Sequence, residues 1–402
     1  MTTPSPSKPS SPSSSSSSFS DIEASRKRVL EIYSKLNTLV IGHEEMIKAI
    51  LISAVAREHV VMIGPPGTAK SYTIHTFAKL VNASFYQYLL TKFTTYDELF
   101  GPVDILAMTR GEYKRNWSKI VSADFVFLDE IFKANSAILN SLLSLMQERI
   151  VYDPFTGAPI SAKLISLIGA SNETPEDPEI QALFDRFSIK IFIDYISDDA
   201  AFLRALQSRW LNNNNNLSPV ATLDDINTLS NYSIEILRSN IKGIGEVLKL
   251  YHLNVVSLVK SLRARGVIVS DRTIIEKMPK IFAAYLAIYG VTIDNIMYAP
   301  YEIIMWVART KSELNDIKKA LDESLAEVAE LAKKLEKAKE MLRAMNLAAA
   351  RKEINDILAF DMSKLASKPW LKPKAEAIIA TAKEYLRYIM EFEERLTRLA
   401  EG

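Results

Sequence analysis

His59-Val60-Val61-Met62-Ile63-Gly64-Pro65-Pro66-Gly67-Thr68-Ala69-Lys70-Ser71 decides how this chain is read. The first five residues are apolar, rich in β-branched side chains and too few for a helix, so they predict a buried strand. After the Gly/Pro turn, Ile74, Phe77 and Leu80 recur at helical spacing, which predicts a helix opening at Lys70. Strand, small-residue turn and helix N-terminus together form a phosphate cradle: backbone N–H groups close on the anion, Lys70 reaches the outer phosphates, and the Ser71 hydroxyl suits Mg²⁺. Glycine is usual where this chain has Ala69, and the expectation is that an alanine entering a helix is tolerated there.

Two more strands of the same texture follow. Phe125-Val126-Phe127-Leu128 ends in Asp129-Glu130, and Leu164-Ile165-Ser166-Leu167-Ile168 leads to Gly169-Ala170-Ser171-Asn172; Lys190 to Ile193 is a possible fourth. Runs that are apolar throughout and separated by helix-like stretches predict a parallel α/β layer. Alone, Asp129-Glu130 could be a strand meeting solvent, and Asn172 a turn former. Behind a phosphate cradle, Asp129 falls beside the metal shell, Glu130 where it can polarise an attacking water, and Asn172 where its amide can hold that water and the outer phosphate.

The 402 residues suffice for two or three domains, and 48% hydrophobic residues for a core in each. Lys and Arg number 49 against 48 Asp and Glu, so no global basic field draws in nucleic acid. With 0 Cys and four dispersed His, thiolate chemistry is excluded and a zinc enzyme is disfavoured. Residues 1–21 are Ser/Pro-rich and predict a disordered tail, with Asp21 as N-cap of a helix through Ile22, Val29, Ile32 and Leu36. No run approaches a membrane span, so a soluble, cytoplasmic protein is expected. The Asn212–Asn216 run reads as a surface insertion.

Beyond Ile196 helical periodicity takes over, predicting a helical domain over 198–310. From Lys311 a heptad seam runs through Leu314, Leu321, Val328, Leu335 and Leu342, with Ile317, Leu331, Ala338 and Met345 at the partner positions. A second seam after Pro373 runs through Ala375, Ile378, Ala382, Tyr385, Ile389, Phe392, Leu396 and Leu399. Together they predict an antiparallel helical hairpin over 311–402, read as a projecting arm, with packing on the body as the alternative.

In the order Ile41-Gly42, phosphate cradle, Asp129-Glu130, Asn172, Asp185-Arg186-Phe187 and Ser270-Asp271-Arg272, the chain resembles the AAA+ ATPases, and among them the MoxR family. It resembles most the RavA-type branch, through Glu98-Leu99-Phe100-Gly101-Pro102, Val126-Phe127-Leu128-Asp129-Glu130-Ile131, Ala170-Ser171-Asn172-Glu173 and Val269-Ser270-Asp271-Arg272. The resemblance covers about Ile22 to Leu314 and implies an αβα nucleotide domain over 22–197, a lid, and a hexameric ring that hydrolyses ATP with Mg²⁺. It implies that Ile41 and Gly42 line the adenine pocket, that Gly64, Pro65, Pro66, Gly67, Thr68, Ala69, Lys70, Ser71 and Tyr72 hold nucleotide, and that Ser71 and Asp129 serve the metal. By the same resemblance Glu130 is the catalytic carboxylate, Asn172 sensor 1, Arg186 an arginine finger for the neighbouring subunit, and Arg272 sensor 2.

The residues themselves leave Arg186 open as a surface arginine and Arg272 as an ion-pair partner of Asp271 or another nearby acid. Residues 101–119 would be a helix-2 insert and 150–163 a pre-sensor-1 hairpin, elements that face the central channel in related rings. The family implies chaperone-like remodelling or maturation of protein complexes, often with a von Willebrand factor A domain partner. The C-terminal segment departs from the β-rich module of RavA itself, so the partners of that module are not implied. The rival is a nucleic-acid motor or loader, kept open by Arg110, Lys114, Arg115 and Lys119.

Overall fold

A computed structural model describes residues 18–211, 217–238, 241–267 and 269–401. The tail at 1–17 and the Asn212–Asn216 run lie outside the described residues. Strands β1 (Val60–Ile63), β2 (Phe85–Leu89), β3 (Phe125–Asp129), β6 (Ser166–Ser171) and β7 (Ile189–Phe192) form one parallel sheet in the order β2-β3-β6-β1-β7. The short strands β4 (Ile150–Tyr152) and β5 (Pro159–Ser161) pair antiparallel as a separate hairpin within the expected 150–163 segment.

Alternation along each central strand divides the interior in two. Val60, Met62, Phe125, Phe127, Ile168 and Ala170 face one core, and Val61, Ile63, Val126, Leu128 and Leu167 the other. The first core is shared with the N-terminal helices and the lid, including Ile32, Leu229, Phe282 and Trp306. The second is closed by the helix Ser136–Glu148 and by Leu99, Phe100, Leu183 and Phe187. Two expectations shift. The third strand begins at Ser166 and includes Gly169-Ala170-Ser171, which leaves Asn172 just past its end. The edge strand β2 is unannounced, because Phe85-Tyr86-Gln87-Tyr88-Leu89 is half-buried to exposed rather than buried throughout.

The first helix is Phe19–Leu39, and its N-cap is Ser18 rather than Asp21. Asp21 sits three residues into a capping box: its amide donates to Ser18 Oγ (3.3 Å), and its carboxylate accepts from Ser18 N (3.2 Å). Among the described residues every element from Asp199 to Met305 is helical. The lid is tied to the first helix by buried Asp225, whose carboxylate accepts from Ser25 Oγ (2.9 Å) and Arg28 Nε (2.9 Å). Burial raises the Asp225 pKa, but the bonds from Arg28, Thr222 and Ser25 leave it below the usual carboxylate range.

The C-terminal segment has three helices where two seams predict a simple hairpin. Lys311–Arg343 turns at Met345 (φ 58°) into Leu347–Leu358, which folds back along it, and Lys372–Glu401 follows. Lys337 pairs with Glu353, Arg351 with Glu393 (3.1 Å) and Lys368 with Glu327 (2.8 Å), so the two long helices run parallel and the short one antiparallel to both. In the first seam Ile317, Leu321, Val328, Leu331 and Ala338 are buried and Leu314, Leu335 and Leu342 half-buried, while Met345 is 63% exposed in the turn. Leu347–Leu358 supplies Ala350, Ile354 and Ile357 to close the core between the two seams. The side chains of Leu396 and Leu399 lie outside the described set.

This unit is seated on the lid rather than free of it. Ile317, Ala320 and Leu321 belong to the lid core, Trp370 Nε1 donates to Tyr301 Oη (3.1 Å), and Lys374 pairs with Asp294 (2.5 Å). The 33-residue helix is about 50 Å long.

Candidate functional site

In a parallel sheet, loops that leave the C-terminal strand ends converge on one edge. Register places Ile63 opposite Ser171, and Leu128 opposite Gly169, so the loops after β1, β3 and β6 open side by side. Gly64 needs its bare Cα, since a Cβ there would stand 2.0 Å from the carbonyl oxygen of Ile193. Gly67 turns the loop at φ 82°. Ala69 corrects the expectation of a residue entering a helix: it caps the helix Lys70–Val81 in the left-handed region, at φ 57° and ψ 18°. That conformation costs an L-residue about 1–2 kcal/mol, which is the physical reason glycine suits this position.

Lys70 is buried, and its Nζ donates to the carbonyl oxygens of Gly64 (2.7 Å) and Pro65 (2.9 Å). Burial lowers its pKa, opposed by the charges of Asp129 and Glu130, which places both carboxylates within its field. Asp129 ends β3, and its Oδ1 accepts from Glu130 N at 3.0 Å. Glu130 is left-handed (φ 53°), a cost of the kind that clusters at functional sites. Its Oε1 accepts from Asn172 Nδ2 at 2.8 Å, and Lys133 Nζ stands 3.4 Å from Oε2. A cavity of about 270 Å³ adjoins them, lined by Glu130, Lys133, Asn172, Glu173 and Thr174.

A second cleft of about 300 Å³ runs from Gly42 and His43 to Asp194 and Tyr195. Gly42 (φ 83°) packs where a Cβ would lie 3.0 Å from the Ile196 side chain, and Tyr195 Oη donates to the Pro66 carbonyl at 3.3 Å. The Ile41-Gly42 turn and the cradle thus meet across the 195–196 segment. His43 is lowered in pKa by burial, with Glu44 opposing and Lys70 adding to the effect. Tyr195, Ile196, His43 and Lys133 escaped sequence reading, because none belongs to a spaced motif. Ser71 is half-buried and Tyr72 exposed on the first turns of the helix after the cradle.

Arg186 and Arg272 are elsewhere. They share a cavity of about 260 Å³ with Arg57, His59, Arg149 and Lys277, at the end where β1 and β7 begin. From His59 to Gly64 the chain advances about 17 Å, so these arginines occupy the edge opposite Lys70. With its amide oriented for hydrogen bonding, the Gln147 oxygen accepts from both Arg272 Nη1 (3.1 Å) and Arg186 Nη1 (3.2 Å). Arg272 also pairs with Glu276 (3.1 Å), whereas Asp271 takes Arg263 (2.6 Å) and Asp185 takes Arg309. The ion pair of Arg272 is therefore with a neighbouring acid other than Asp271. Burial is the largest cause that depresses each of its neighbours: Arg149 to about 10, Lys277 to about 8 and His59 well below its usual value. Such depression marks a cluster of like charges held out of water.

The 101–119 and 150–163 segments form one unit on the surface. Tyr113 stacks on Phe155 at 4.7 Å, and Asp153 accepts from Tyr113 Oη (2.7 Å) and Arg115 Nε (2.9 Å). Burial would raise Asp153, but the amides of Thr156 and Phe155, with Tyr113 and Arg115, bring it down to about 2. Arg115 is itself buried between Asp153 and Asp97, which removes it from the cations offered to nucleic acid. Ile105, Leu106 and Phe155 are each more than 70% exposed on the same unit.

Residues 27–231, half of the chain, match the family described as the MoxR domain in the MoxR-vWA-beta-propeller ternary systems. The chain belongs to the MoxR family of AAA+ ATPases. An uncharacterized protein of Methanocaldococcus jannaschii is 34% identical over 248 residues, covering 60% of this MoxR chain and 61% of that protein. The chaperone MoxR1 of Mycobacterium tuberculosis is 26% identical over 168 residues, covering 41% and 44%. This chain spans less than two thirds of the length of the curated relatives it matches. In fold it resembles the crystal structure of a candidate ATPase from Cytophaga hutchinsonii, with a TM-score of 0.55 at 22% identity over 71% of this chain and 88% of that one. The α/β AAA+-like architecture is that of the family.

Within this MoxR fold, Lys70, Ser71, Asp129, Glu130 and Asn172 gather at one edge beside the turn of Ile41 and Gly42, and Arg186 and Arg272 gather at the other.

Proposed function

We propose that this chain is an ATP-hydrolysing MoxR-type chaperone of the RavA-type branch that acts in the cytoplasm as a homo-oligomeric, hexameric ring. The observation that carries this reading is the separation just described. Glu130, bonded to Asn172, lies in the field of Lys70 of the phosphate cradle, while both arginines line a cavity at the far end of the strands, where β1 advances about 17 Å between His59 and Gly64, and in this reading they serve a nucleotide other than their own subunit's. Stacked head to tail, one subunit's cationic edge would complete the neighbour's anionic substrate site, and in this reading Arg272 as well as Arg186 serves the neighbour.

The site residues take the following roles in this reading. Ile41, Gly42 and the cleft by Tyr195 receive adenine, and Gly64 to Tyr72 embrace the phosphates. Ser71 and Asp129 are the hard oxygen donors that suit Mg²⁺, which would neutralise phosphate charge. A two-residue donor set fits that ion, since it usually keeps water and substrate oxygens in its shell, and no three-residue metal cluster occurs among the described residues. Glu130 orients and polarises the attacking water with Asn172, while Arg186 meets the charge that develops on the transferred phosphoryl group.

The domains follow as 22–197, 198–310 and 311–402, the last an arm for partner or substrate engagement. The work done is remodelling or maturation of protein complexes with a von Willebrand factor A domain partner. The MoxR-vWA systems of the matched family support that partner. Among the described residues no helix is long and apolar enough to cross a membrane. The buried state of Arg115 weakens the nucleic-acid motor reading.

Subunit mixing tests this function. Arg186→Ala should lower turnover by about a thousandfold with nucleotide binding retained. Rings that combine Arg186→Ala with Glu130→Gln subunits should regain activity at interfaces where an intact Glu130 meets an intact Arg186. Absence of recovery at every ratio, in rings verified to be mixed, would refute the arrangement.

A further inference from the structure

The loop that carries Arg186 is held from the lid. Directly after Arg272 the chain makes a π-helical turn, Thr273–Lys277, before the helix Met278–Tyr289. Relative to an α-helix, such a turn inserts one residue, which rotates all that follows by about 100° around the axis. The turn ends on Lys277, whose side chain reaches across to the nucleotide domain. Its Nζ donates to the main-chain carbonyls of Asp185 (3.0 Å) and Arg186 (2.9 Å). These carbonyls close the C-terminal end of the helix Pro178–Phe184, where acceptors outnumber donors and a cation is favoured.

Lys277 is a costly choice for that task. Burial opposes its charge, Glu58 favours it, and Arg272 and Arg186 oppose it again, with a net pKa of about 8. A second buried lysine, Lys190, donates to the carbonyl of Phe187 (2.9 Å), and Arg309 pairs with the Asp185 carboxylate. Three successive carbonyls around Arg186 are thus taken by ammonium groups, one from the sheet and one from the lid.

We propose that Lys277 is a positioning residue for Arg186: by gripping the carbonyls of Asp185 and Arg186 it makes the guanidinium follow the lid turn that carries Arg272. This rests on the reading above, in which Arg186 serves the neighbouring subunit's nucleotide. Lys277 touches no substrate, and its effect passes through the loop. The consequence is directional coupling, because a shift of one subunit's lid changes how well that subunit's arginines meet the next subunit's phosphates.

The test is ATP turnover by full-length Lys277→Met, Lys277→Gln and Lys277→Arg, alone and mixed with Glu130→Gln, with Arg186→Ala as reference. Binding of a fluorescent ATP analogue and ring assembly are measured beside it. Lys277→Met should reduce kcat about tenfold to a hundredfold, as expected when a catalytic group is misplaced by an ångström. KM and analogue affinity should hold within about twofold, Lys277→Gln should lose less, and Lys277→Arg should recover most of the rate. Mixing Lys277→Met with Glu130→Gln should restore turnover as Arg186→Ala does, since the defect lies in what one subunit offers its neighbour. A merely structural lysine would show no such complementation.

Unchanged kcat, a loss that mixing does not repair while Arg186→Ala is repaired, or failure of both the Met and Gln variants to assemble would overturn the proposal. If Arg186→Ala itself does not complement, the neighbour-directed reading fails first and this one falls with it.

Discussion

The two edges of the same sheet are built on opposite plans. At the C-terminal edge, loops after β1, β3 and β6 bring a cation and two acids together: Lys70 is bonded to its own loop, Glu130 to Asn172, and their charges offset one another. At the N-terminal edge, Arg57, Arg149, Arg186, Arg272 and Lys277 crowd one cavity with Glu58 and Glu276 as its carboxylates, and burial first, then the charges of Arg272 and Arg186, depresses Lys277. The first edge is a nearly self-satisfied site that a polyanion can enter. The second holds positive charge at a cost in desolvation that an anion from outside the subunit would offset. In the ring proposed above, one chain would carry half of a site on each edge, with the halves facing apart.

The largest way to break this comparison is at the C-terminal edge. Lys70→Ala should abolish nucleotide binding, while Glu130→Gln should keep binding and lose turnover by more than about a thousandfold, since one contacts ground-state phosphate and the other acts on the attacking water. Equal loss of analogue affinity in both would erase the distinction. The opposite edge comes next. Arg272→Ala should cost about tenfold to a hundredfold in kcat and, like Arg186→Ala, be repaired by mixing with Glu130→Gln. Repair of Arg186 alone would return Arg272 to its own subunit.

The smallest effect lies in the cradle. Ala69→Gly should relieve a left-handed alanine and stabilise the fold by up to about 1 kcal/mol, part of the relief being cancelled by greater unfolded-state freedom. Chemical denaturation would read it, and a destabilised variant would show that the alanine methyl packs usefully.

Most of the C-terminal edge was legible because its parts are contiguous. A strand, a small-residue loop and a helix start occupy thirteen residues, and Asp129 and Asn172 each end an apolar run. The left-handed state of Ala69 was hidden, since a one-letter change from glycine does not reveal φ. The edge strand β2 was hidden as well, because half-exposed aromatic and polar residues lack the period of a buried strand. In the C-terminal segment, heptads announced two long helices, but the antiparallel direction expected of them was wrong. The short helix Leu347–Leu358 supplies the antiparallel partner, and the two seams end up parallel.

The sequence by itself determined four of the five sheet strands, the order of its motifs and the chemistry available to each, since strand burial, loop composition and helix periodicity are local properties of ten to twenty residues. Only the tertiary structure decided which groups meet. Gln147 between Arg186 and Arg272, Tyr195 against Pro66, Lys277 on the Arg186 backbone and Arg115 withdrawn into Asp153 join residues from 38 to 129 positions apart along other elements. No period or motif encodes such pairs. They follow from strand register and from the crossing of the lid over the sheet, where burial makes each polar group find a partner.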